Sequence, residues 1–168
     1  MTTAATRGEA RAVADLSEGM ILAAVEIAAP MDRVFRALAS EELVNWWGSA
    51  DTYRTTKWAG DLRVGGTWLA EGVGADGKPF SVGGQFLEVE PPQKLVKTWR
   101  PSWDGGNVTR LTYRLESIAG GTRVTVRHEG FAGRRESCEG HAEGWQRVLG
   151  WLRAYFAQAA TSAGGAKR

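Results

Sequence analysis

The chain has 168 residues, of which 43% are hydrophobic and 24% charged, a composition typical of one globular domain. Its 21 basic and 19 acidic residues leave a net charge of +2, which is too small to indicate a nucleic-acid partner. The single cysteine, Cys138, excludes an intramolecular disulfide and a multi-cysteine zinc site. Met20 to Val25 is too short an apolar run to span a membrane, and the charges within residues 1–19 do not fit a signal peptide. We therefore expect a cytoplasmic protein with no membrane span.

In the N-terminal third of the chain, a disordered segment is expected to be followed by a strand and two short helices. Residues 1–19 are small, polar and mixed in charge, which predicts a disordered N-terminal arm. Alternating apolar side chains then predict a first strand from Met20 to Ala28. Two short helices are expected to follow, one beginning after Pro30 and one capped by Ser40.

Six further strands are expected in the middle of the chain, separated by glycine pairs and other turn residues. Their expected ranges are 53–58, 66–73, 79–90, 94–100, 108–116 and 122–130. The last two alternate between apolar and polar side chains, which is typical of an antiparallel sheet with one buried face. The segment from Gly72 to Gly77 matches a dinucleotide-binding pattern, but a strand rather than a helix follows it, so a hairpin turn is the preferred interpretation.

The C-terminal part of the chain predicts one long amphipathic helix from about Glu136 to Ala160, followed by a flexible tail over residues 161–168. The order of elements predicts an α+β fold over residues 20–160. In this fold a curved antiparallel sheet of about seven strands surrounds the long helix, and two short helices follow the first strand. A gap between a curved sheet and a straight helix would form a pocket.

Several short sequence motifs occur in a characteristic order along residues 20–160. They are Ile27-Ala28-Ala29-Pro30, Leu43-Val44-Asn45-Trp46-Trp47-Gly48, Asp61-Leu62-Arg63-Val64-Gly65-Gly66, the segment from Phe86 to Leu95, and Gly144-Trp145. This order resembles the START-like superfamily, also called SRPBCC or helix-grip. It is most similar to the branch named after the activator of the 90-kDa heat-shock protein ATPase. The resemblance implies a hydrophobic cavity between sheet and helix, but no single activity, because members include binders, cyclases and hydrolases.

The alternation pattern and this resemblance together favour binding of a hydrophobic or aromatic small molecule, such as a lipid, in that cavity. Tryptophan supplies 8 of the aromatic residues, and such residues form either a thick core or the wall of a cavity. The side chains expected to line the cavity are Phe35, Trp47, Trp68, Phe86, Trp99, Leu111, Tyr113, Val126, His128, Trp145 and Leu149.

Two other classes of function remain open. His128 and Tyr113 lie on the inward faces of neighbouring predicted strands, so they are the candidate acid and base of a cyclase or hydrolase. The preferred interpretation of His128 is nevertheless a hydrogen-bonded, partly buried histidine at the end of the sheet. A chaperone-regulating or other protein-interaction module, or a homodimer, would instead expose an apolar patch that includes Trp151. No motif requires a metal or an organic cofactor, and no basic and aromatic residues alternate as in an RNA-binding surface.

Overall fold

The computed structural model describes residues 7–166, with side chains up to residue 159. Within this range the strands are β1 (Arg11–Asp15), β2 (Met20–Ile27), β3 (Tyr53–Gly60), β4 (Thr67–Gly74), β5 (Pro79–Glu90), β6 (Lys94–Pro101), β7 (Thr109–Ile118) and β8 (Gly121–Glu129). The helices are α1 (Met31–Leu38), a short 3-10 helix (Glu41–Asn45) and α2 (Arg135–Ala166). The predicted α+β class and the order of elements from β2 onward are confirmed.

All the strands belong to one antiparallel sheet in the order β1-β2-β8-β7-β6-β5-β4-β3. The pairing of β3 shifts between Thr55 and Lys57, and that of β5 shifts between Phe86 and Glu88. Such irregularities bend a strand and increase its twist. They lie in the half of the sheet formed by β3 to β6, in agreement with the curved sheet expected from the order of elements.

The sheet has eight strands rather than about seven, because part of the N-terminal segment is ordered. Residues 11–15, expected to belong to a disordered arm, form β1 and pair along their whole length with β2. The turn between the two strands is closed by the Asp15 carboxylate, which accepts hydrogen bonds from the backbone N–H groups of Ser17 and Glu18. Residues 1–6 of the predicted arm lie outside the described residues.

The last helix is longer than predicted. Its backbone begins at Arg135 and continues to Ala166, through most of the segment expected to be a flexible tail, while residues 167–168 lie outside the described part of the chain. The backbone of α2 lies closest to β1 and β2. Its other face therefore stands opposite β3 to β6, on the inner side of the bent half of the sheet.

Strand alternation determines which side chains enter the interior, as the sequence predicts. The inward residues of β2, namely Ile21, Ala23, Val25 and Ile27, are all buried. In β7 and β8 the same holds for Leu111, Tyr113, Leu115, Val124, Val126 and His128. The 3-10 helix is capped by the Ser40 hydroxyl, which accepts a hydrogen bond from the Glu42 backbone N–H at 3.2 Å. The Tyr155 hydroxyl of α2 donates to the Glu42 carboxylate at 2.6 Å, which attaches the 3-10 helix to α2.

Candidate functional site

A cavity of about 560 Å³ lies between α2 and the inner faces of β3 to β6. Its apolar lining consists of Leu43, Trp47, Tyr53, Trp68, Ala70, Phe80, Val82, Trp99, Trp103, Trp145 and Val148. Its remaining lining consists of Thr55, Lys97, Asp104, Glu136, Ser137, Gly140, His141, Gly144 and Arg147. A mostly apolar pocket with a few polar groups is the usual form of a small-molecule site.

Four tryptophans, Trp47, Trp68, Trp99 and Trp145, form an aromatic wall around the cavity. The ring of Trp99 lies at their centre, with centroid distances of 6.1 Å to Trp47, 5.8 Å to Trp68 and 6.0 Å to Trp145. Trp68 and Trp99 lie on the inward faces of β4 and β6, while Trp47 follows the 3-10 helix and Trp145 projects from α2. The wall thus joins β4, β6, the segment after the 3-10 helix and α2, and it offers faces and edges of rings to a ligand.

Lys97 is the one lysine in the lining, and its side chain is only 1% exposed. It shares the inward face of β6 with Leu95 and Trp99, because side chains two apart on a strand point the same way. Its ammonium nitrogen Nζ lies 3.9 Å from the centroid of the Trp68 ring and 5.8 Å from that of Tyr113. Burial lowers the pKa of Lys97 to about 7. Lys97 is not among the side chains expected to line the cavity, although its place two residues from both Leu95 and Trp99 puts it on their inward face.

His128 lies outside the cavity lining, and both of its ring nitrogens have hydrogen-bond partners. The indole N–H of Trp145 donates to His128 Nδ1 at 3.0 Å, so the ring proton of the neutral imidazole is on Nε2. This Nε2–H donates to the Thr109 hydroxyl at 2.6 Å, and that hydroxyl donates to the Trp99 carbonyl at 3.3 Å. Burial lowers the pKa of His128 well below its usual value. His128 is therefore hydrogen-bonded, as in the preferred interpretation, but it is completely rather than partly buried.

His141, by contrast, belongs to the cavity lining. The Trp99 indole N–H donates to His141 Nε2 at 3.2 Å, and His141 Nδ1–H donates to the Ser137 carbonyl at 2.8 Å. The hydroxyl of Ser137 donates in turn to the Asp104 carboxylate, which Arg134 also contacts at 2.7 Å. Burial lowers the pKa of His141, so the imidazole is held neutral as a support for the aromatic wall.

Tyr113, the second candidate catalytic residue, has a completely buried hydroxyl with no hydrogen-bond partner among the described residues. Burial raises the pKa of this phenol, so Tyr113 cannot provide a phenolate at neutral pH. Its ring packs edge-on against Trp145 at 5.9 Å, behind the aromatic wall. His128 and Tyr113 therefore do not meet inside the cavity as an acid and base.

Of the eleven side chains expected to line the cavity, the four tryptophans do so. The other seven lie in the packed interior instead, and they are Phe35, Phe86, Leu111, Tyr113, Val126, His128 and Leu149. The reason is geometric. Side chains of α2 such as Trp145 fill the space above β7 and β8, so the gap between sheet and helix is restricted to the half formed by β3 to β6. Trp151, expected in an exposed patch, is half-buried and packs edge-on against Tyr53 at 5.5 Å.

On the side of the cavity formed by α2, two glycines leave space because they have no side chains. Gly140 and Gly144 are four residues apart on α2, so they share one face of the helix, and both line the cavity. A Cβ atom added at Gly140 would meet nothing within 4 Å, and one at Gly144 would meet only the Tyr53 hydroxyl at 3.9 Å. Larger side chains at these positions would enter the cavity.

Within residues 7–166 no group of three or more histidine, cysteine, aspartate or glutamate side chains is arranged to hold a metal ion. In the same range no helix is both long and apolar enough to cross a membrane. The lining of the cavity itself offers an aromatic wall, a buried amine and a rim of polar side chains.

Solved structures with this fold come from several bacteria. Protein NE0264 from Nitrosomonas europaea is 27% identical, with a TM-score of 0.73 over 86% of this chain and 98% of that one. The AHSA1-like protein from Aeromonas hydrophila is 25% identical, with a TM-score of 0.65 over 83% and 94%. Protein Ms6760 from Mycobacterium smegmatis is 21% identical, and its TM-score of 0.72, over 86% and 94%, shows a shared fold.

A search of curated proteins finds no match. The family model described as "Activator of Hsp90 ATPase homolog 1-like protein" matches residues 28–157, which include every strand from β3 to β8, α1 and most of α2. The chain therefore belongs to the Activator of Hsp90 ATPase homolog 1-like family and has its START-like, helix-grip fold.

Proposed function

We propose that this protein binds a hydrophobic, aromatic small molecule in the cavity between α2 and β3 to β6. The observation that carries the proposal is the cavity itself, about 560 Å³ in volume and lined on several sides by tryptophan rings. Ring faces and edges provide a large apolar contact area with little loss of side-chain entropy, because the rings already hold each other in place.

The fit between cavity and ligand class follows from the distribution of polar groups. The aromatic wall already uses two of its indole N–H groups internally, since Trp99 donates to His141 and Trp145 donates to His128. The Trp68 N–H likewise donates to the Thr98 carbonyl at 3.2 Å. A ligand therefore meets mainly the apolar surfaces of these rings. A planar aromatic body fits such surfaces better than a sugar or a nucleotide phosphate, which needs several donors.

The test is a fluorescence titration with N-phenyl-1-naphthylamine, a neutral aromatic probe that emits strongly when it leaves water. We expect saturable binding, together with quenching of tryptophan emission by energy transfer to the probe. Gly144→Leu is expected to weaken binding at least tenfold, because its side chain would occupy the cavity beside the aromatic wall.

Gly150→Leu is the matched control for this substitution. Gly150 lies on the same helix, does not line the cavity, and has nothing within 4 Å of an added Cβ. The control variant is expected to bind the probe as the wild type does. Absence of saturable binding, or equal binding by the two variants, would contradict the proposal, and circular dichroism would verify that both variants are folded.

A further inference from the structure

We infer that the ligand of this cavity carries an anionic acid group, a carboxylate or a related oxyacid, which is bound by the amine of Lys97. The inference rests on the proposed function and specifies the class of ligand. The aromatic body of the ligand would lie against the aromatic wall, and its acid group would point inward to β6.

The position of the Lys97 amine is the first feature that favours an anionic ligand. Lys97 lines the cavity, yet its side chain is only 1% exposed to solvent. Among the described residues no carboxylate forms an ion pair with it, and its polar contacts are the ring faces of Trp68 at 3.9 Å and Tyr113 at 5.8 Å. The lining of the cavity thus includes a buried amine that has no anionic partner in the described part of the chain.

The burial of the Lys97 amine also has an energetic cost. A buried amine without an anion loses its hydration, and cation–π contacts offset only part of that loss. Burial accordingly lowers the pKa of Lys97 to about 7. A bound acid group would supply the missing charge in a place where water is excluded, and ionised hydrogen bonds are strongest there.

The other charged side chains that line the cavity are either paired with neighbours or exposed, so Lys97 is the group that would bind the acid of a ligand. The Asp104 carboxylate already accepts hydrogen bonds from Arg134 and Ser137. Glu136 is exposed in the first turn of α2, so it lies at the rim of the cavity. Arg147, also exposed, donates to the Tyr53 hydroxyl at 3.4 Å. The neutral His141 has both ring nitrogens in hydrogen bonds, so Lys97 is the buried positive group.

The experiment compares two probes that share one aromatic skeleton. The first, 8-anilinonaphthalene-1-sulfonate, carries a sulfonate, and the second, N-phenyl-1-naphthylamine, lacks it. We expect Lys97→Met to lower the affinity for the sulfonate probe roughly tenfold or more, because a charge-assisted hydrogen bond is lost. The affinity for the neutral probe is expected to stay within about twofold, since methionine preserves the length and apolar stem of the side chain.

Lys94→Met is the matched control, because it removes the same charge from the same strand. Lys94 lies outside the cavity and contacts the Glu88 carboxylate at 3.0 Å. This variant is expected to leave the ratio of the two affinities unchanged. An equal change of that ratio in both variants would overturn the inference, because it would show a general effect of charge.

A second measurement uses the wild-type protein alone and so does not depend on the folding of any variant. Titration calorimetry at pH 8, in two buffers with different ionisation enthalpies, counts the protons taken up on binding. The sulfonate probe is ionised at this pH and carries no proton to give. An uptake approaching one proton is therefore expected, because the neutral amine of Lys97 takes a proton from the buffer when it pairs with the sulfonate. The neutral probe is expected to cause no uptake.

The outcomes separate this inference from the proposed function. Binding of the neutral probe with no proton uptake by the sulfonate probe, and with an unchanged affinity ratio in Lys97→Met, would overturn the inference and leave the proposed function supported. Failure of the neutral probe to bind would count against the proposed function itself.

Discussion

The two halves of the sheet differ in how they meet the long helix. The half formed by β1, β2, β8 and β7 is closed, because α2 contacts β1 and β2, α1 contacts β7 and β8, and buried side chains such as Leu111, Val126 and Leu149 fill the space. The half formed by β3 to β6 is open, because the sheet bends away and leaves the cavity. One fold thus provides a stabilising core and a binding space side by side.

One buried ionisable side chain in each half shows a related contrast. In the closed half, His128 has partners for both ring nitrogens, although the buried hydroxyl of Tyr113 nearby has none among the described residues. In the open half, the amine of Lys97 contacts aromatic rings and forms no ion pair within the described part of the chain. A buried histidine with complete hydrogen bonding supports the fold, whereas a buried amine without an anionic partner beside a cavity points to a ligand.

The largest expected effect is the pH dependence that Lys97 gives to stability. Its folded-state pKa of about 7 lies below the unfolded value of 10.5, so between these values the unfolded state binds the extra proton. The free energy of unfolding should therefore rise with pH across this range, by up to roughly 1.4 kcal/mol per pH unit. Relative to the wild type, Lys97→Met should be more stable at pH 7, and this difference should shrink as the pH rises towards 10.5.

Urea denaturation of both proteins at several pH values would measure this difference. Lys94→Met is again the control, because Lys94 is paired with Glu88 outside the cavity and its removal should give no comparable slope. A constant difference between wild type and Lys97→Met across pH 7 to 10 would show that the amine remains charged in the folded protein.

The next prediction concerns packing. The same leucine-to-alanine substitution is expected to lower the free energy of unfolding by different amounts in the two halves of the sheet. Leu149 is fully buried in the closed half, so Leu149→Ala should lower the free energy of unfolding by about 2–5 kcal/mol. Leu43 is 4% exposed and borders the cavity, so Leu43→Ala should cost less, roughly 2 kcal/mol, since little new empty space is created. Chemical denaturation of both variants checks this, and equal costs would contradict the distinction between closed and open halves.

Much of this fold was predictable from the sequence because its strong signals are periodic. The expected range of β5 was the observed one, and the inward residues of β2, β7 and β8 were identified by alternation alone. The strand β1 was missed because its inward residues, Ala12 and Ala14, are too small to produce an apolar pattern. Its stability comes from backbone pairing with β2, which a local pattern does not report.

The candidate site was less predictable, for a physical reason. Alternation identifies which side chains face inward, but it does not say whether the helix lies close enough to fill the space in front of them. Trp99 and Leu111 both face inward, yet one borders the cavity and the other is packed. The inward position of Lys97 in β6 was not predicted, because charged side chains are rarely buried and a lysine is expected to face solvent.

A smaller effect is expected from the closed half's histidine. His128→Phe leaves the Trp145 indole N–H without its acceptor, so the free energy of unfolding should fall by about 1–3 kcal/mol. Because burial lowers the pKa of His128, the wild type loses stability as pH falls below 6.5, and its advantage over the variant should shrink. Thermal unfolding at pH 5 and pH 7 measures both effects.

The same variant distinguishes a structural role from a role in the site. His128 does not line the cavity, so His128→Phe is expected to bind N-phenyl-1-naphthylamine with unchanged affinity at a temperature where it is folded. A large loss of binding by the folded variant would instead indicate that the closed and open halves act as one site.

The smallest expected effect separates folding from binding on a single helix. Alanine at Gly144 or at Gly150 should raise the free energy of unfolding by about 0.5–1 kcal/mol, because glycine is a poor helix former and neither new Cβ would meet a close neighbour. The added methyl group at position 144 enters the cavity, whereas one at position 150 does not. Gly144→Ala should therefore combine higher stability with weaker probe binding, while Gly150→Ala should gain stability alone. A loss of stability at position 144 would mean that α2 lies closer to the open half of the sheet than its contacts indicate.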